Sequence, residues 1–116
     1  MANDEYELYD LKVEVFASDD GKPMICPHKV GDYFTLTNDD EIGFPTGQTF
    51  PLYPLAALLP LLPAKQRELS KNDWMATDAV IACPDPHCGG RFLITRGDKH
   101  TYRHSEMTAV PLPDPE

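Results

Sequence analysis

The first sustained pattern in the chain is an alternation. The run Leu8-Tyr-Asp-Leu-Lys-Val-Glu-Val-Phe16 puts Leu11, Val13 and Val15 on one side and Lys12 and Glu14 on the other, the two-residue period of a half-buried strand. Ser18-Asp-Asp-Gly-Lys-Pro23 has the composition of a turn, and Tyr33-Phe-Thr-Leu-Thr37, rich in β-formers, predicts a second strand. Asn38-Asp-Asp-Glu41 reads as an acidic loop and Gly43-Phe-Pro-Thr-Gly-Gln48 as irregular chain. Residues 52–62 hold Leu, Ala and Tyr at helical spacing, apolar nearly all round; Pro54 belongs in the first turn, and Pro60 must kink or end the helix. Ala64-Lys-Gln-Arg-Glu-Leu69 has helix formers but little length, and Ser70-Lys-Asn-Asp-Trp-Met75 reads as a loop or capped turn. Ala79-Val-Ile-Ala-Cys83 and Arg91-Phe-Leu-Ile-Thr-Arg96 predict two more strands, joined as a hairpin.

These elements predict an α+β fold: a mostly antiparallel sheet of four or five strands, rolled towards a barrel and covered by the short apolar helix. Residues 1–107 are expected to form a single domain. Residues 108–116, with three prolines in the last six positions, are expected to be extended or disordered.

Charge narrows the partners. A formal net charge of −9 disfavours nucleic acid and anionic membrane surfaces, both of which reward clustered Lys and Arg. Arg91, Arg96 and Arg103 are too dispersed to suggest a phosphate site. The richest apolar run, 50–62, is interrupted by three prolines, and the N-terminus is acidic where a secretory leader would be basic. A cytoplasmic location without a membrane partner is therefore expected. Asp39-Asp-Glu41 lacks the spaced ligands of a calcium loop and reads as a solvated turn.

The candidate chemistry lies in two loops. Cys26-Pro-His28 and Cys83-Pro-Asp-Pro-His-Cys88-Gly-Gly contain all three cysteines, an odd number that a disulfide framework would not accommodate. One zinc ion held by Cys26, His28, Cys83 and Cys88 would make a closed Cys3His site cross-linking two turns. A three-ligand variant, Cys26, His28 and Cys83, would leave the fourth position to water, which zinc acidifies for attack. Asp85 or Asp32 would then act as general base if burial raised its pKa, although Asp85 between two prolines and Asp32 after Gly31 are also ordinary turn formers. A local alternative, Cys83-x4-Cys88-x11-His100-x3-His104, approaches a zinc-finger spacing, but Gly97 and Asp98 weaken the helix it needs. Without a metal, Cys26 and Cys83 are small buried hydrophobes and His87, His100 and His104 solvated loop residues. Cys88, followed by two glycines, reads as the most exposed thiol.

The order Tyr9-Asp-Leu-Lys-Val-Glu-Val15, Cys26-Pro-His-Lys-Val-Gly-Asp-Tyr-Phe34, Leu52-Tyr-Pro-Leu55, Trp74 and Ala82-Cys-Pro-Asp-Pro86 resembles a family of small proteins found largely in anaerobic bacteria. Its members carry a Cys-Pro-x-Gly-His-Lys-Val-Gly-Asp loop and an Ala-Cys-Pro-Asp-Pro turn. The resemblance covers roughly residues 9–96 and implies that Cys26, His28, Cys83 and Asp85 are the polar positions carried over. This chain departs from the family in its shorter first loop, in Gly43-Phe-Pro45, and in the added His87-Cys88 pair.

Two functional classes follow. One is a small-molecule enzyme of lyase, hydrolase or isomerase type, its Cys/His site beside an apolar pocket walled by Phe44, Phe50, Tyr53 and Trp74. The other is a non-catalytic, zinc-stabilised binding or interaction module. Substrate and oligomeric state are left open by the sequence.

Overall fold

A computed structural model describes residues 4–25 and 27–113. Its centre is β1 (Glu5–Ala17), whose apolar alternation begins as expected but whose pairing starts earlier. β2 (Tyr33–Thr37) and β3 (Glu41–Gly43) follow on one side, while β4 (Val80–Ala82) and β5 (Gly90–Arg103) lie on the other. The sheet order is β3-β2-β1-β5-β4, every neighbouring pair antiparallel. The α+β expectation is met. The barrel is not: β3 and β4 end the sheet as separate edges, and the sheet stays open.

Short helices accompany the sheet: α1 (Leu52–Leu58), α2 (Leu62–Lys65), α3 (Trp74–Thr77) and α4 (His104–Met107). Pro54 does sit in the first turn of α1, and Pro60 converts the chain into a single 3-10 turn, Leu59–Leu61, before α2. One face of this segment is buried. Leu58 and Leu62 close over Val13, Val15, Phe34 and Phe92, while Leu52 and Tyr53 point to solvent. The expected all-round burial of 52–62 is therefore one-sided, because a sheet this small supplies only one face to pack against.

The strands differ from expectation mainly in extent. β5 runs on past Arg96 to Arg103, pairing Glu5 with Arg103 and Leu8 with His100 after a bulge between Tyr9 and Leu11. Across that bulge the Tyr9 N–H turns to the Gln66 carbonyl, 2.8 Å away, attaching the ribbon to the end of α2. Buried Lys65 donates to the carbonyls of Met75 and Asp78 and so fixes α3 beside α2. Among the described residues, no helix is long and apolar enough to cross a membrane.

Candidate functional site

The Cys83–Gly90 turn closes the β4–β5 hairpin, and the 18–28 loop folds against it. Gly89 N–H donates to the Pro23 carbonyl at 2.8 Å, Ser18 N–H to the Gly89 carbonyl at 2.7 Å, and the Lys22 ammonium to the Pro86 carbonyl at 3.1 Å. The two cysteine-bearing loops thus meet. Gly89 permits it: a Cβ there would lie 2.0 Å from the Lys22 carbonyl oxygen. A second glycine keeps space open inside the turn, since a Cβ on Gly90 would sit 3.2 Å from His28 Nε2 and 3.4 Å from Cys88 Sγ.

Cys88 is the reverse of the expected exposed thiol, only 1% exposed. The hairpin turns its side chain inward, where its Sγ accepts the backbone N–H groups of Ile25 (3.3 Å) and Gly90 (3.4 Å). Two backbone amides are thus aimed at one sulfur. Cys83 is also buried, and its backbone N–H closes the hairpin on the Gly90 carbonyl at 3.2 Å.

His28 is 6% exposed and packed between the rings of Phe50, parallel at 6.2 Å, and Phe92, at 5.3 Å. Among the described residues, neither ring nitrogen has a hydrogen-bond partner. Leaving a buried polar atom unmet costs about 1–3 kcal/mol. Burial holds the imidazole pKa below its ordinary value, with Asp32 opposing the shift, which favours the neutral ring, the form in which one nitrogen carries a lone pair. A neutral imidazole, a thiol under two amides and a second buried thiol are the donor types of a tetrahedral zinc site. Cys26, the remaining expected ligand, lies outside the described residues. Among those described, no three His, Cys, Asp or Glu side chains are arranged as a metal-holding group.

The other candidates are placed elsewhere or otherwise engaged. Asp85 is exposed and its Oδ1 accepts the His87 N–H at 2.9 Å; Asp32 Oδ2 accepts the Lys29 N–H at 2.9 Å. Asp85 thereby makes an Asx-type turn, whereas Asp32 closes the 29–32 turn from its far end, its own N–H also donating to the Lys29 carbonyl at 3.0 Å. The finger-like set does not assemble: His100 lies far along β5 opposite Leu8, 2.9 Å from Asp10, and His104 donates from Nε2 to the Val110 carbonyl. Its failure follows from β5, which continues as strand where a finger requires helix.

Nor do the aromatic residues wall a pocket. Phe50 joins Phe34 and Phe92 in the core, with Phe44 tilted against Phe34 and Phe50 at its rim, whereas Tyr53 is 77% and Trp74 59% exposed. The cleft beside the thiols is lined instead by Lys22, Pro84, Asp85, Pro86 and Arg91. Arg91 donates to the Gly90 carbonyl at 2.8 Å and pairs with Asp20 at 3.2 Å, so its charge is held by the loop carboxylate at the edge of this cleft. The sequence signals Gly89-Gly90 only as a loop; their packing role and the two amides on Cys88 emerge from the fold.

No family model, curated protein or solved structure matches the chain.

Proposed function

We propose that this chain is a small binding module whose loops are clamped by one zinc ion through Cys26, His28, Cys83 and Cys88. The observation that carries the reading is His28: a buried imidazole, its pKa lowered by burial, whose two nitrogens find no partner among the described residues and which shares the space above Gly90 with Cys88 Sγ. A metal ion on one nitrogen removes one of those two deficits, and the two backbone amides aimed at Cys88 Sγ suit a thiolate ligand. The resemblance to the small bacterial family supports the same Cys26, His28 and Cys83 positions. A closed structural site is preferred to a hydrolytic one because Asp32 and Asp85 are engaged in turns and the cleft beside the thiols is lined by Lys22, Pro84, Asp85, Pro86 and Arg91.

Elemental analysis of protein purified with zinc supplied tests the proposal. About one zinc per chain is expected from four-ligand binding, with loss in His28→Ala and Cys88→Ala and retention in His87→Ala. Cobalt substitution should give the intense thiolate charge-transfer and tetrahedral ligand-field bands of a thiolate-rich site. Metal-free wild type sinks the reading, as does full zinc retention in Cys88→Ala.

A further inference from the structure

A second feature shares no residue with the cysteine loops. Among the described residues β3 is an edge of the sheet, and there a groove of about 270 Å³ opens between the β2–β3 hairpin and the α1–α2 segment. Leu36 and Leu62 form its buried floor; Ile42, 42% exposed, and Leu59, 38% exposed, form its apolar walls. The backbone at this edge is also oriented for pairing. Tyr33 exchanges hydrogen bonds with the Gln48 side chain, its N–H donating at 3.1 Å and its carbonyl accepting at 2.8 Å, on the side of β2 away from β1. By alternation, Thr35 and Thr37 use that same side to bond Gly43 and Glu41. The Ile42 N–H and carbonyl must then point outward, away from β2. Its side chain lies in the same cross-strand row as Leu36, on the groove face.

We infer that the β3 edge and its groove receive an extended segment of a partner protein, one large apolar side chain of which enters beside Ile42 while flanking Lys or Arg residues meet the acidic rim. Strand addition supplies the geometry: a residue hydrogen-bonded to Ile42 directs its side chain onto the same face, into the groove. Charge supplies the choice of occupant. Asp39 and Asp40 line the mouth, Glu41 is exposed beside it, and the chain carries a net charge of −9. Arg67, the cation at the rim, is tied back to the Pro63 carbonyl at 2.7 Å. A second copy would bring two acidic edges together, and the chain's own terminal Asp114 and Glu116 carry the same sign as the rim.

The inference stands apart from zinc, and its test leaves the cysteine loops untouched. The probe is a fluorescent heptapeptide of alternating lysine and leucine, blocked at both ends, titrated into the full chain and followed by anisotropy. Saturable binding is expected, with the Ile42 amide becoming protected from hydrogen exchange. A glutamate-leucine peptide, and a lysine-leucine peptide with its central leucine replaced by proline, should each bind at least tenfold more weakly. Ile42→Thr and Asp40→Lys, both on exposed positions with unchanged circular dichroism required, should each weaken binding several-fold. The inference is overturned by absence of binding, by equal binding of the proline or glutamate peptide, by Ile42→Thr binding as tightly as wild type, which would indicate charge attraction alone, or by self-association through this edge in light scattering.

Discussion

Two adjacent glycines act in different ways. Gly89 is required by backbone: the 2.0 Å approach to the Lys22 carbonyl involves main chain on both sides, so no rotamer change relieves it. Gly89→Ala should lower stability by on the order of 3 kcal/mol, read as a shift of the urea midpoint. Gly21→Ala is the useful contrast, because nothing lies within 4 Å of its added Cβ but its φ of 84° is left-handed; it should cost about 1–2 kcal/mol. Gly90→Ala addresses the site. Its Cβ would crowd His28 Nε2 and Cys88 Sγ without meeting backbone. If zinc binds there, affinity should fall roughly tenfold, the scale of changes to groups that position metal ligands, measured by competition with a chromophoric chelator.

Among the elements, β1 is anchored to the β2–β3 turn by one phenol. Tyr6 donates to the Asp39 carboxylate, and burial followed by this hydrogen bond raises its pKa to about 12. The raised value fixes the sign: the Tyr6 contribution is fully present below the ordinary value of 10.0 and is lost as pH rises towards about 12, because the unfolded chain ionises first. Tyr6→Phe should lower stability at neutral pH by about 1 kcal/mol and should flatten the alkaline limb of a pH series of urea midpoints. The elements legible in the sequence were those with an apolar side to bury. The alternation of 11–15, the β-formers of 33–37, and the prolines at 54 and 60 each specified local structure that packing then used. β3 was missed because Glu41-Ile-Gly43 is short and exposed throughout and carries one apolar residue, Ile42, too few to show a period. The second half of β5 was missed likewise: 97–101 is exposed and polar, and its partner strand holds it in register. At the site, residue chemistry singled out His28, Cys83 and Cys88, but burial of Cys88 depended on a turn whose inward direction no periodicity encodes.

At the scale of the whole molecule, zinc would join the 18–28 loop to the β4–β5 hairpin and stabilise the folded state by mass action. At free zinc a hundred times its Kd this amounts to about 2.7 kcal/mol, or a rise of roughly 10 °C in the unfolding midpoint for a chain of this size. Calorimetry with zinc and with EDTA should show that difference in wild type and none in His28→Ala. The long β1–β5 ribbon has a kinetic consequence as well. Ala17 pairs with Gly90 and Glu5 with Arg103, so the central strand, made early, finds its main partner only after most of the chain has followed. During synthesis at about 5–20 residues per second, the apolar face of β1 therefore waits for several seconds with one hydrogen-bonding edge open. Ribosome-held chains stopped before residue 90 should remain protease-sensitive throughout β1, and release beyond residue 103 should protect it in one step. The sheet's middle is thus the last part of the molecule to become secure.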